Sequence, residues 1–433
     1  MNDTSGIEDP YMERAFRVCV STCFSGLYIR EESMSRYLPY SPEQGYLVPP
    51  RVDEVLSADH LCFFVHKSVE KLDLSRFDKS YGAMGGRLYD PSLMLKVWLY
   101  AYLLGVTSSR RLEQRIREDL AFRFLAGAAT PDYWALNAFR TRHGRAINDC
   151  FTQVVEMARS LGLAQLGTVA IDATRIKASA SPDKVIAVER QQRAKTRRNV
   201  RRWQQSCDGD EPNEGAGSRV GTAIDAIQDA AATLKPLPRR AKRPSEKRSI
   251  TDPDARFLRS RGNRFLLGYS GEIAVSEDHL IVAQRVTQSG NENDGLEPMV
   301  KLVNETCGEL PQRVLADSGY YSNENVERME ALTVDAYVPD SNLARELNTR
   351  NPATDLAGHD PRLKRMRHKL RDPDGRAMYS KRRGIVEPVF GIMKEQRNFR
   401  SFRLRSSAKV QIEFALAATA YNLKRIYLLT KAR

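Results

Sequence analysis

The chain has 433 residues, 41% hydrophobic and 28% charged, which allows two or three domains with cores of their own and excludes wholesale disorder. Lys and Arg total 68 against 54 Asp and Glu, a formal net charge of +14. That excess favours a polyanionic partner, through phosphate neutralisation and counterion release.

The six cysteines (Cys19, Cys23, Cys62, Cys150, Cys207, Cys307) are scattered. Cys19 and Cys23 have no second pair to complete a zinc site, and no disulfide framework is evident, so a reducing cytoplasm fits best. No run approaches the ~18 apolar residues of a membrane helix. Asp3, Glu8, Asp9 and Glu13 precede the mildly apolar residues 15–29, which argues against an export signal. Met34 opens MSRYLPYSPEQGYLVPP as a natural start, leaving residues 1–33 as an upstream extension.

Residues 50–160 read as helical. Asp90 is a fitting N-cap and Pro91 an N1 residue for a helix to Leu104 that is apolar nearly all round and hence buried. Ser109 then precedes Arg110, Arg111, Arg115 and Arg117, interleaved with Leu112 and Ile116 as a basic amphipathic helix. A third helix follows Thr130-Pro131-Asp132 and runs to His143. Such Arg-rich short helices suit a helix-turn-helix module on DNA, and equally an ordinary bundle with a solvated charged face.

At residues 167–172 (GTVAID) the pattern changes to a short β-branched strand ending in Asp172. Residues 185–250 read as an insertion: a basic helix near 186–205, a polar loop, a second helix near 220–234, then a Pro-rich basic linker. A hairpin is expected over 265–274 and 279–287, a helix over 296–305, a buried strand over 312–316 ending in Asp317, a helix over 325–332 and a strand over 334–338. Residues 361–383 are densely basic and loop-rich. Helices close the chain from Pro388 to Arg397 and from Lys409 to Leu429. Strands with helices between them and an antiparallel hairpin make a mixed α/β core.

Asp172 and Asp317 each follow a buried strand and precede small residues, so their carboxylates would converge at the sheet edge with room for a ligand. Two such acids suit a Mg²⁺ ion shared with phosphate oxygens, or simply cap the turns that follow them. Glu387 is the third acid. On an ideal helix Tyr379, Arg383, Glu387 and Lys394, at offsets 0, 4, 8 and 15, share an arc of about 80°. Pro388, however, disfavours a helical Glu387 and fits best at N1 of a new helix, which leaves Tyr379 and Arg383 on the preceding turn.

These segments resemble bacterial insertion-sequence transposases of the DDE type. In that family an Asp follows the first strand, as in IDATRIKASAS, a second sits in an A-D-x-G-Y-like motif, as in ADSGYYS, and the Glu lies in a Y-x2-R-x3-E-x6-K signature. Arg383, Glu387 and Lys394 match that signature; Tyr379 is one residue early, with Ser380 at the expected place, and Ala173 stands where related chains often have Gly. The likeness covers about residues 35–433. It implies an RNase H-like mixed sheet flanked by helices, a helical DNA-binding domain over 34–160, and a catalytic domain over 161–433 interrupted by the basic insertion at 185–250. It further implies that Asp172, Asp317 and Glu387 hold two Mg²⁺ or Mn²⁺ ions for cleavage and strand transfer. The DNA-contacting residues would be Arg383, Lys394, Arg382, Arg397, Arg110 and Arg111. The partners would be double-stranded DNA, as element ends and target, and other copies of the chain, with no membrane and no small-molecule substrate, in a nucleoid-associated cytoplasmic protein. An RNase H-like nuclease without strand transfer and a decayed DNA-binding regulator are the competing readings.

Trp203 either stacks on an unpaired base or packs inward. His143 and His279 have no partners at metal-ligand spacing and read as structural. Asp252 and Asp254 flank Pro253 as turn residues. The arginines of 361–383 read as a DNA-backbone surface or a solvated loop.

Overall fold

The computed structural model describes residues 51–78, 89–127, 129–187, 247–259, 265–349 and 360–432. The expectations for residues 1–33, for Trp203 and for most of the basic insertion lie outside these residues.

Besides two single turns, the described residues ahead of the sheet form α1 (Leu61–Glu70), α2 (Pro91–Leu103), α3 (Ser109–Glu118), α4 (Leu120–Ala126), α5 (Tyr133–Arg142) and α6 (Gly144–Ser160). Helix α2 starts as its sequence predicts. The Asp90 carboxylate accepts from the Ser92 amide at 2.7 Å and from that of Leu93, with Pro91 in the first turn. Such a cap contributes ~1 kcal/mol. Every residue from Met94 to Leu103 is buried, so the all-round apolar helix becomes the centre of the helical layer. Trp98 within it donates its indole N–H to the Leu136 carbonyl at 3.0 Å. Helix α3 buries only Leu112 and Ile116 and leaves its four arginines in solvent. His143, between α5 and α6, is buried against the rings of Phe77 and Phe139.

The sheet comprises β1 (Thr168–Lys177), β4 (Arg256–Arg259), β5 (Phe265–Ser276), β6 (Ile281–Thr287), β7 (Arg313–Ala316) and β8 (Asp335–Tyr337). Central β1 runs antiparallel to β5 and parallel to β7, and β8 continues the parallel side. The outer edge of β5 is shared by β4 and β6, both antiparallel. Helices α7 (Leu296–Cys307), α8 (Asn323–Ala331) and α9 (Ser341–Thr349) follow β6, β7 and β8. This is the mixed, helix-flanked sheet of the RNase H-like class that the sequence predicts.

Three expectations are corrected. Residues 185–187 begin no basic helix. They form strand β2 (Val185–Ala187), paired antiparallel with β3 (Lys247–Ser249), so the insertion leaves and re-enters the core side by side. Residues 361–383 are not loop-rich but lie in α10 (Pro361–Arg371) and α11 (Pro373–Gly391). Each begins with an Asp cap and a proline, Asp360-Pro361 and Asp372-Pro373, and Arg and Lys are good helix formers. Nor does Pro388 start a new helix: α11 runs through it and passes into a π-helical turn at Ile392–Gln396. The carbonyl four residues earlier, which the proline ring crowds, belongs to Gly384.

The last helix, α12 (Ser407–Lys431), is buried on nearly all sides between Val410 and Leu423 and packs against both β6 and the helical layer. The helices before β1 and the sheet therefore share one core. Asp252 and Asp254 do more than turn the chain. Fully buried Asp252 accepts from the Tyr269 hydroxyl at 2.8 Å and the Ser406 amide at 3.1 Å, and Asp254 accepts from the Ser407 amide at 2.9 Å, so the pair anchors the start of α12.

Candidate active site

Strand β1 does not end at Asp172, because β5 pairs with it as far as Lys177. Its parallel partner does stop: Ile171 pairs with Ala316, the last residue of β7. The next residues on the two strands are Asp172 and Asp317, which places their backbones about 5 Å apart where the sheet splays open. Asp317 also caps the short turn after β7, its carboxylate accepting from the Gly319 amide at 2.9 Å. The capping and site readings of that residue are thus compatible.

Glu387, exposed on α11, lines the same cleft, whose volume is about 620 Å³. Asp172, Asp317, Glu387 and Lys394 share it with Arg382 and with three residues that sequence reasoning missed, Glu292, Arg175 and Arg259. Glu292 lies just ahead of α7 in SGNENDG, where an acid reads as a helix-start residue, and nothing in the pattern marks it otherwise. Its carboxylate pairs with Arg175 at 2.8 Å and leans over Gly319 beside Asp317. A side chain at Gly319 would push the Glu292 carboxylate aside and crowd Asp317 Oδ1.

Like charges in a poorly hydrated cleft resist ionisation. Burial, reinforced by neighbouring Asp317, pushes the Asp172 carboxyl up to about 6 despite the opposing Arg382 guanidinium. Burial and Asp317 likewise push Glu292 up to about 7, against the pull of Arg175.

Arg382 is buried rather than on the surface, with its Nη1 donating to Asp172 Oδ2 at 3.1 Å. Tyr379 is half-buried beside it and hydrogen-bonded to it, while the Ser380 hydroxyl turns back on the Ala377 carbonyl at 2.7 Å. Arg383 is exposed on α11. Arg397 is buried, its guanidinium 5.1 Å from the centre of the Tyr421 ring, and burial depresses its pKa to about 10. It sits in the core, away from any surface a DNA backbone could reach. Arg110 and Arg111 are exposed on α3.

Carboxylate oxygens are hard donors of the kind Mg²⁺ and Mn²⁺ take, and Asp172 and Asp317 present two of them in one cleft. Arg382 engages Asp172 and Arg175 engages Glu292, and among the described residues no three acidic, His or Cys side chains close around one centre. The donor set fits a divalent cation, provided that these guanidinium groups yield their place.

No helix of the described residues is long and apolar enough to cross a membrane. The sequence matches two family models: a transposase DDE domain over residues 239–423 and a transposase domain, DUF772, over residues 50–142. The first span contains Asp317 and Glu387; Asp172 precedes it. No curated protein matches the chain. Members of the DDE family generally use divalent metal ions. The two domain matches and the sheet that brings the acids together agree: the chain belongs to the insertion-sequence transposases of the DDE type.

Proposed function

We propose that this transposase binds the ends of its insertion sequence and catalyses DNA strand cleavage and strand transfer at the cleft of Asp172, Asp317 and Glu387. The observation that supports this most is the register of β1 and β7, which sets Asp172 beside Asp317 at the end of their parallel pairing, with Glu387 on the helix that borders the same cleft. Those three side chains would hold Mg²⁺ or Mn²⁺, two ions in the full site, which when bound activates the attacking oxygen and stabilises the leaving one. Lys394 in the cleft and Arg383 on the same helix would hold phosphates beside the scissile bond. Arg382 orients Asp172 and balances its charge until the substrate arrives. A water attacks the phosphodiester at the element end, and the freed 3′-OH then attacks target DNA.

Residues 34–160 serve as the DNA-binding part, through the exposed arginines Arg110 and Arg111 of α3, and residues 161–433 as the catalytic part carrying the basic insertion. Copies of the chain assemble on paired ends, in the cytoplasm and on the nucleoid. The test is cleavage and joining of element-end DNA by Asp172→Asn, Asp317→Asn and Glu387→Gln. Each is expected to abolish both reactions in Mg²⁺ or Mn²⁺ while leaving DNA binding. Undiminished cleavage by any one removes that residue from the site, and cleavage without covalent joining in the wild type reduces the activity to a nuclease.

A further inference from the structure

Trp134 is 69% exposed, whereas Trp98 is fully buried and its N–H is satisfied. An exposed tryptophan offers a large apolar face with a polar edge, a common anchor for a bound partner. Its neighbour Tyr133 lies with it at the start of α5, ring centres 5.5 Å apart and planes tilted by 34°. The Arg110 guanidinium stands over the Tyr133 ring, 5.0 Å from its centre. Both aromatics line a cleft of about 300 Å³ with Arg110, Arg140 and Arg403, and no acid lines it. The exposed Trp134 ring beside Tyr133 and among arginines suits a nucleic-acid strand, whose bases stack and whose phosphates pair with the cations.

A single track of chain, from Lys394 in the catalytic cleft to Arg403 in this one, contributes to both. From Lys394, in the catalytic cleft, the chain runs along the end of β1, where the Lys177 amide donates to the Arg400 carbonyl at 3.2 Å and the Phe402 amide to the Lys177 carbonyl at 2.8 Å. It then reaches Arg403, whose Nε donates to the Thr107 hydroxyl at 3.2 Å. Fully buried Glu413 accepts from the Arg403 and Leu404 amides, at 2.9 Å for the Arg403–Oε2 and Leu404–Oε2 pairs, so this segment is held from beneath. Arg400, Arg403 and Arg405 are exposed along it. Lys177 lies five residues beyond Asp172 on β1, about 17 Å, or roughly five nucleotides of strand.

We propose that Tyr133 and Trp134 form a stacking platform for an unpaired base of a DNA strand that leaves the catalytic cleft along this track, with Arg110 and Arg403 on the adjacent phosphates. This rests on the transposition reading above. The test uses the full chain in EDTA and fluorescence anisotropy with a labelled 20-nucleotide single strand and the duplex of the same sequence. Trp134→Ala is expected to weaken single-strand binding about 5- to 150-fold, the range for loss of one stacked base, and duplex binding less than 2-fold. Trp134→Phe should recover part of the loss, and Arg110→Gln should lower the salt dependence of single-strand binding by about 0.7 in log–log slope. Equal losses on both DNAs, or no loss on either, overturn the platform. So does Trp134→Ala turning an oligomer into monomer with DNA binding intact, which assigns the face to a second copy of the chain. A wild type that binds neither DNA overturns platform and transposition together. Trp134-dependent binding without any metal-dependent cleavage counts against the transposition reading alone.

Discussion

Replacing Asp172 by Asn removes a carboxyl that the fold holds in an unfavourable place. The group ionises near 3.8 in the unfolded chain and near 6 in the folded one, because burial and Asp317 outweigh Arg382. Once ionised it costs the folded state about 3 kcal/mol, at ~1.4 kcal/mol per pH unit between the two values. Its side chain is only 18% exposed, so solvent screens little of this cost. The sign follows from proton binding. Between pH 4 and 6 the folded state holds more protons than the unfolded state, so stability falls as pH rises; the penalty is absent below about pH 4 and complete above about pH 6. Asn carries no charge at any pH and escapes it. For a unit of this size, with an unfolding entropy of ~0.8 kcal/mol per kelvin, the gain corresponds to about 4 °C. Thermal unfolding in EDTA from pH 4 to 8 should show Asp172→Asn melting higher than wild type above pH 7, the difference closing towards pH 4. A variant that melts lower at pH 7.5 would show that the Asp172–Arg382 pair stabilises the fold on balance, and would refute the reasoning.

Gly375→Ala should destabilise the chain by about 1–3 kcal/mol or more in urea unfolding, since a Cβ at that buried turn of α11 would collide with the Lys369 carbonyl of α10. Asp252→Ala leaves the Tyr269 hydroxyl and the Ser406 amide without their acceptor, for an expected loss of about 2–4 kcal/mol by the same measurement. Arg362 and Arg365 pair with Glu327 and Glu330, so replacing both by Gln should change the log–log salt slope of DNA binding by less than 1; a fall near 2 would show that DNA takes both cations.

That last pairing shows what a charge run conceals. The arginines of 361–383 read as a DNA-facing surface, yet Arg362, Arg365, Arg367, Lys369 and Arg371 meet Glu327, Glu330, Asp340, Asp335 and Glu346 across helix and strand boundaries. A count of charges along the chain sees cations 25 to 35 residues from their partners. Glu292 was hidden for the same reason: it is ordinary in its own segment, and becomes part of the cleft only where the loop before α7 passes over Gly319. Trp134 is unmarked within its helical run, and only packing shows that its ring is left exposed.

Local signals were enough where the physics is local. Asp90-Pro91 and Asp132 start their helices by capping, an all-apolar α2 must be buried, and the short apolar runs before Asp172 and Asp317 make strands. From these the α/β class and two acids of the cleft were legible, along with the transposase resemblance. The register of β1 on β7, which makes Asp172 and Asp317 neighbours, was not, because strand pairing is chosen by contacts far apart in sequence. The continuity of α11 through Pro388 was likewise a tertiary result. Local preference argues for a break there, but a helix that buries Ile385, Val386 and Val389 against the sheet is carried through it. Glu387 thereby stands on one helix with Arg383, opposite the two aspartates that the sheet brings together.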